Sequence, residues 1–161
     1  MRLLLVGWSE IERLCGSLAG KVRRSGFRPD MIVCIGRGGW IPARIMADLL
    51  DVHDLSSMMI EFYKGTKKGR KHPVLTQPIL VDVRGKRVLL VDDVVESGRT
   101  LALARKTLEE RGVGEARSAV LHLKPRSSMK PDFSGKIVRG WVIYPWEKGE
   151  VTREFGKKVK A

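Results

Sequence analysis

The sequence predicts a single domain with an α/β fold, a parallel sheet with helices on both faces, and three observations lead to this prediction. Strand-like and helix-like segments alternate from the N-terminus, as in chains built from strand–helix–strand units. The run Arg87–Val91 is apolar on both faces, which is typical of a central parallel strand covered by helices. The length of 161 residues suits one domain, and no repeat or low-complexity linker divides it, so we expect a single domain over residues 1–161.

The first predicted unit is a strand followed by a helix. The apolar run Leu3–Val6 is too short for a signal-peptide core and indicates a buried strand. Ser9 and Glu12 form a Ser-x-x-Glu capping box, which predicts the start of a helix, and Gly26 predicts its end. The apolar spacing of this helix predicts a buried face, formed by Ile11, Leu14, Cys15 and Leu18.

The second unit repeats this order. Met31–Ile35 is predicted as a strand, Gly36–Gly39 as the glycine-rich turn after it, and Ile41–Leu50 as the next helix. Ser57–Phe62 is predicted as a further strand. The basic, glycine-containing segment Tyr63–Gln77 is predicted as a long mobile loop.

The C-terminal half continues the alternation after the strand at Arg87–Val91. A helix is predicted over Arg99–Arg111, and strands over Ala116–Leu123 and Arg139–Tyr144. Because ligands bind at the carboxyl ends of the strands in parallel sheets, the residues that follow each strand are the candidates for function.

Composition narrows the class of protein. Apolar residues make up 43% and charged residues 30%, a balance typical of soluble globular domains, and no apolar run reaches the ~18 residues of a membrane span. Cys15 and Cys34 lack metal-ligand spacing and are predicted to be core residues rather than a disulfide. We therefore expect a cytoplasmic protein.

The net charge of +13 leaves three interpretations open: a nucleic-acid surface, a site for polyanionic substrates, or a solvated basic surface. Basic residues are densest in Lys64–Lys71 and Lys157–Lys160, and no aromatic residues of the kind that stack on bases lie between them. Charge alone does not choose among the three.

The most informative segment follows the central strand. Two adjacent carboxylates, Asp92 and Asp93, end the strand, and a short loop leads into a helix whose N-terminus suits a phosphate. Gly98 allows close approach of the backbone, and Ser97 and Thr100 add hydroxyl donors. Because carboxylates repel phosphate, the two aspartates are expected to face sugar hydroxyls or magnesium. The alternative is an ordinary capped turn.

The segment Val88–Thr100 resembles the PRPP-binding signature of the type I phosphoribosyltransferases, where PRPP is 5-phosphoribosyl-1-pyrophosphate. The resemblance implies that Asp92 and Asp93 hold the ribose hydroxyls, directly or through Mg²⁺, and that Glu96–Thr100 cradles the 5′-phosphate. Purine members of the family usually have an aspartate in place of Glu96, near the base nitrogen, as a candidate general base.

The loop Gly36–Gly39 is similar to the pyrophosphate-binding loop of the same family, with Arg37 as the donor to phosphate oxygens. The predicted PRPP-binding residues are therefore Arg37, Gly38, Asp92, Asp93, Glu96, Ser97, Gly98, Arg99 and Thr100, and the predicted catalytic residues among them are Asp92, Asp93, Glu96 and Arg37.

Two segments, Leu123–Pro125 and Gly140–Glu147, resemble the base-binding hood of the 6-oxopurine phosphoribosyltransferases, and we expect the C-terminal segment 124–161 to form most of this hood. The resemblance implies that Lys124 donates to the exocyclic oxygen O6, that Trp141 stacks on the purine, and that the backbone of Val142 lies near the base edge. It also implies that Glu147 is a further metal ligand beside Asp92 and Asp93. Without the resemblance, the tryptophans of this segment would be interpreted as core or interface residues.

The predicted function is purine salvage by transfer of a phosphoribosyl group from PRPP to hypoxanthine, guanine or xanthine, with Mg²⁺ as cofactor. The resemblance also implies a homodimer or higher homo-oligomer and a flexible segment at Lys64–Lys71 that closes over the site. Two alternatives remain open: a PRPP-binding regulator that binds nucleic acid, and a phosphoribosyltransferase for another base.

Overall fold

The computed structural model describes residues 3–63 and 72–155 and confirms the predicted α/β class. The strands are β1 (Leu3–Leu5), β2 (Met31–Gly36), β3 (Leu55–Tyr63), β4 (His72–Gln77), β5 (Arg87–Val95), β6 (Glu115–Leu123), β7 (Phe133–Ile137) and β8 (Trp141–Ile143). The helices are α1 (Trp8–Arg24), α2 (Trp40–Leu50), α3 (Arg99–Glu110) and α4 (Lys148–Phe155), and a 3₁₀ turn spans Pro145–Glu147.

The main sheet has the strand order β4-β3-β2-β5-β6-β7, and a separate small sheet pairs β1 with β8. Every pair of neighbours in the main sheet is parallel except β3 and β4, which are antiparallel. The predicted central strand lies between β2 and β6, so its carboxyl end meets theirs at one edge of the sheet.

Side chains of successive strand residues point to opposite faces, and this alternation builds two core layers. Leu89 and Val91 of β5 pack into the layer that contains the buried faces of α1 and α2. Val88 and Leu90 pack into the layer that contains α3. Helices therefore cover both faces of the sheet, as the sequence predicts.

The structure corrects several local predictions. The capping box does not form: α1 begins at Trp8, one residue before Ser9, and Gly7 caps it without a side-chain hydrogen bond. The helix still ends as predicted, because Gly26 takes the left-handed backbone angle φ of 78°. Part of the predicted loop Tyr63–Gln77 is strand β4, which pairs with the edge of β3 and so satisfies backbone groups there.

Other features of the chain are consistent with the sequence analysis. Cys15 and Cys34 are buried free thiols, as predicted. No helix within the described residues is long and apolar enough to cross a membrane. The two basic segments Lys64–Lys71 and Lys157–Lys160, and with them the predicted closing loop, lie outside the described residues.

Candidate active site

Three pockets open at the edge of the sheet where β2, β5 and β6 end. The α3 pocket, of about 580 Å³, is lined by residues that include Asp92, Glu96–Thr100 and Trp141. The hood pocket, of about 620 Å³, is lined by Glu96, Lys124, Arg126, Arg139, Trp141 and neighbouring residues. The acidic pocket, of about 450 Å³, is lined by residues that include Arg37, Gly38, Trp40, Asp93, Glu147 and Glu150. Because Glu96 and Trp141 line both the α3 pocket and the hood pocket, these two adjoin.

The α3 pocket contains the start of α3, as the sequence predicts. Gly98 caps the helix at a φ of 83°, and a Cβ atom there would lie 2.7 Å from the backbone nitrogen of Met129. Ser128 fixes the loop from the other side, because its backbone N–H and its hydroxyl both donate to the Ser97 carbonyl, at 3.1 and 2.8 Å. The first turn of α3 thus presents backbone N–H groups that the helix itself does not use, and that of Arg99 donates to the Ser97 hydroxyl at 3.4 Å.

The acidic pocket brings the glycine-rich turn against β5. A Cβ atom on Gly38 would lie 2.2 Å from the carboxylate oxygen Oδ2 of Asp93, so only glycine lets the two segments approach this closely. The peptide bond between Gly36 and Arg37 is cis. The Arg37 guanidinium donates to a carboxylate oxygen of Glu150 in α4 at 2.7 Å. The residue predicted to bind phosphate oxygens is therefore held by a carboxylate.

The two aspartates of β5 are costly to ionise in the absence of a ligand. Burial and then repulsion from Glu147 raise the pKa of Asp93 to about 7. Burial and then repulsion from Asp93 raise the pKa of Asp92 well above its usual range. The Asp92 carboxylate also accepts a hydrogen bond from the backbone N–H of Asp93, at 2.9 Å. A nearby cation, or hydroxyl groups that donate hydrogen bonds, would stabilise the ionised form of both carboxylates.

The predicted metal residues are divided between two pockets. Asp93 and Glu147 line the acidic pocket, whereas Asp92 lines the α3 pocket. Among the described residues, no group of three or more histidine, cysteine, aspartate or glutamate side chains is arranged to hold a metal ion. Mg²⁺ commonly takes only one or two carboxylates from the protein and its other ligands from substrate phosphates and water, and the pair in the acidic pocket fits that pattern.

The hood pocket brings together two of the predicted base-binding residues. The Lys124 ammonium donates to the carbonyl of Gly140, and the Trp141 side chain is 43% exposed at the pocket wall. Val142 is different, because its side chain is buried and it pairs with Leu4 in the small sheet. Any contact of Val142 with a ligand would therefore come from its backbone.

A buried hydrogen-bonded chain behind the site was not predicted. The Tyr144 hydroxyl donates to the backbone carbonyl of Asp93 at 2.9 Å and lies 2.8 Å from Nδ1 of His122. Since a carbonyl only accepts, Nδ1 of His122 carries the proton and donates to the tyrosine oxygen. Burial lowers the pKa of His122 to about 4, so the ring is neutral. Trp146 stacks on Tyr144 with ring centroids 4.8 Å apart.

Comparison with known proteins gives one family. The model of the phosphoribosyl transferase domain matches residues 7–150. The chain is 30% identical to the xanthine-guanine phosphoribosyltransferase of Nitratidesulfovibrio vulgaris, over 88% of this chain and 83% of the relative. It is 28% identical to the hypoxanthine-guanine phosphoribosyltransferase of Saccharomyces cerevisiae, over 91% and 86% of the two chains. Among solved structures, it is similar to the purine phosphoribosyltransferase of Pyrococcus horikoshii, with a TM-score of 0.81, 34% identity, and coverage of 91% of this chain and 94% of that one.

Proposed function

Because this chain belongs to the phosphoribosyl transferase family, we propose that it transfers the phosphoribosyl group of PRPP to a 6-oxopurine base and releases pyrophosphate. One observation carries the proposal: the α3 pocket, which suits a phosphate, adjoins the hood pocket, which contains a lysine donor and an exposed tryptophan ring. The names of the relatives, which specify xanthine, guanine and hypoxanthine, support the same class of base.

The substrate PRPP would extend across two pockets. Its 5′-phosphate would bind the backbone N–H groups and hydroxyls of Glu96–Thr100, where the helix dipole favours an anion. Asp92 would accept hydrogen bonds from the ribose hydroxyls in the same pocket. The pyrophosphate would lie in the acidic pocket, where Arg37 exchanges Glu150 for phosphate oxygens and Gly38 leaves room beside Asp93.

The acidic pocket supports the proposal of Mg²⁺ as cofactor. Asp93 and Glu147 would hold the ion there, with Asp92 contributing from the ribose side, and the ion would neutralise charge on the departing pyrophosphate. Once the carboxylates are paired with a cation, Arg37 remains to hold the pyrophosphate in line for the reaction.

The base would bind in the hood pocket. Lys124 is a donor only, so it favours a 6-oxo group over the 6-amino group of adenine. Trp141 would stack on the ring, and the backbone of Val142 would contact its edge. Glu96, which lines both pockets, is placed between base and ribose and would accept the proton that the purine nitrogen loses.

The test is an assay of the purified protein with PRPP, Mg²⁺ and a panel of adenine, hypoxanthine, guanine, xanthine, uracil and orotate. Turnover restricted to the 6-oxopurines is the expected result. Turnover of adenine or a pyrimidine would retain the PRPP site but reject the assignment of the hood. PRPP binding without turnover, together with salt-dependent binding of nucleic acid, would favour the regulator instead.

The remaining expectations are part of the same proposal. The buried free thiols of Cys15 and Cys34 suit a reducing compartment, which supports a cytoplasmic location. We also propose one domain with residues 124–161 as its hood, and a homodimer or higher homo-oligomer. Light scattering of the purified protein measures the oligomeric state directly.

A further inference from the structure

The hood pocket has an excess of positive charge. Residues 124–126 and residues 138–141 line it together with Glu96, and both of these segments contribute cations. Three cationic side chains face one carboxylate, so three minus one leaves a formal charge of +2. The four residues are Lys124, Arg126, Arg139 and Glu96.

The two arginines are available for a ligand. Lys124 already donates to the Gly140 carbonyl, but within residues 3–63 and 72–155 neither Arg126 nor Arg139 has an ion-pair or hydrogen-bond partner for its guanidinium. Both are exposed at the mouth of the pocket. They line the hood pocket, whereas the α3 pocket and the acidic pocket are lined by other cations, Arg99 and Arg37. Their positions thus favour contact with the base rather than with the phosphates of PRPP.

From this charge distribution we propose that the hood pocket selects xanthine over guanine and hypoxanthine, with Arg126 and Arg139 as the residues that determine the preference. The inference rests on the proposed function, since it concerns the base that the same site accepts. Among the three bases, xanthine alone carries a second oxo group, at position 2, and its ring loses a proton near neutral pH while the other two remain neutral.

The chemistry of arginine matches these two properties. A guanidinium has donors and no acceptor, so it favours an oxo group at position 2 and disfavours the amino group that guanine carries there. It is also planar and weakly hydrated, which suits a delocalised anion better than an ammonium does. Glu96 opposes the anion, but it lies on the side of the pocket shared with the α3 pocket, where the ribose is expected.

The test compares kcat/KM for xanthine, guanine and hypoxanthine in the wild-type protein, in Arg126→Gln, in Arg139→Gln and in the double variant. We expect each single variant to lose about three- to fivefold with xanthine, and the double variant about tenfold or more, because exposed charge pairs contribute that much. Turnover of guanine and hypoxanthine, and the KM for PRPP, are expected to stay within about twofold. The control is Arg44→Gln, an exposed arginine on α2.

A pH series tests the charge of the base separately. The value of kcat/KM for xanthine is divided by that for hypoxanthine at each pH. This ratio cancels the effects of enzyme ionisations that change the turnover of both substrates equally. In the wild-type protein this ratio is expected to rise as the pH increases through the ionisation of xanthine, and the rise is expected to shrink in the double variant. Equal losses for all three bases, or no loss with xanthine, would overturn the inference.

Calorimetric binding of the product nucleotides keeps this inference distinct from the proposed function. The protein is expected to bind xanthosine monophosphate more tightly than guanosine or inosine monophosphate, and to lose that preference in the double variant. If no base is turned over, the proposed function fails while this measurement still decides the preference of the pocket. If guanine or hypoxanthine is turned over faster than xanthine and its nucleotide binds more tightly, the proposed function stands and the preference for xanthine is wrong.

Discussion

The hood pocket and the acidic pocket lie at the same edge of the sheet but carry opposite charge. The hood pocket has three cationic side chains and one carboxylate, whereas the acidic pocket has one arginine and three carboxylates, so one minus three gives a formal charge of −2. In the proposed function, the acidic pocket receives the most highly charged part of the substrate, the pyrophosphate. The three carboxylates are Asp93, Glu147 and Glu150.

Under the proposed function, this difference implies that the two ends of the substrate are recognised in different ways. A polyanion cannot enter a pocket of like charge unless cations accompany it, so the acidic pocket suits pyrophosphate only as its magnesium complex. The hood pocket has fixed cations instead, and under the proposed function these would contact the base directly. The raised pKa of Asp93 agrees with this interpretation. A carboxyl group that is costly to ionise without a ligand is stabilised as a carboxylate when a cation binds beside it.

The largest expected effect comes from removing the charge of both β5 aspartates. The Asp92→Asn, Asp93→Asn double variant is expected to lower kcat/KM by about a thousandfold, because both the ribose contacts and the metal-binding charge are lost. Steady-state kinetics and calorimetric PRPP binding measure it. The Asp48→Asn, Asp51→Asn double variant at the exposed end of α2 is the control, and full activity in the β5 variant would reject the site assignment.

A smaller but still large effect is expected from Gly38→Ala. The added Cβ would lie 2.2 Å from Oδ2 of Asp93, so the carboxylate or the loop must move, and a displacement of this size is expected to cost about a hundredfold in kcat/KM. Gly16→Ala on α1, where a Cβ meets nothing within 4 Å, is the matched control. If Gly38→Ala retains wild-type kinetics, the close contact between loop and strand has no role in catalysis.

Whereas the first two variants are expected to lose activity, Glu150→Gln is expected to improve the binding of PRPP. Without this carboxylate Arg37 is free to bind phosphate oxygens and the acidic pocket becomes less negative, so the KM for PRPP is expected to fall about threefold. The effect is expected to weaken in high salt. Glu110→Gln removes a comparable exposed ion pair, with Lys106 on α3, and is expected to change nothing. An increase in the KM of Glu150→Gln would mean that Glu150 helps to bind the substrate.

The smallest expected effect concerns the pH dependence of stability. It arises from the buried hydrogen-bonded chain that links His122 and Tyr144 to the backbone carbonyl of Asp93. Burial lowers the pKa of His122 from 6.5 to about 4 in the folded protein, so between these values the unfolded chain binds more protons than the folded one. The contribution of His122 to stability is therefore expected to fall as the pH decreases through this window, by at most about 1.4 kcal/mol per pH unit, whereas the raised pKa of Asp93 contributes in the opposite direction.

Urea unfolding between pH 4 and pH 7 tests this expectation. The His122→Gln variant is expected to be less stable overall but to lose this part of the pH dependence, because glutamine does not titrate. His53→Gln, at an exposed histidine, is expected to keep the wild-type slope. An unchanged slope in His122→Gln would show that His122 does not contribute to the pH dependence of stability.

Local sequence patterns predicted much of the fold and indicated candidate site residues, several of which the structure brings to one edge of the sheet. The central strand, the helices on both faces and the turn at Gly98 depend on short-range rules of apolar spacing and backbone geometry, which a sequence states directly. The structure brings Glu96, Lys124 and Trp141 to one pocket, as expected, although their roles with a ligand remain predictions. The same local rules failed at Ser9, where the capping pattern is present but the helix begins one residue earlier.

The sequence by itself determined the fold class, the family resemblance and the position of the loop between β5 and α3, for which phosphate binding is proposed. Tertiary structure decided which strand edges are paired, as for β4 and β7, and which charges share a pocket. Arg37 meets Glu150 across 113 positions of the chain, and the cations of the hood come from two separate turns. No local pattern marks such pairs, because their energy depends on distance and burial in the folded molecule rather than on spacing along the chain.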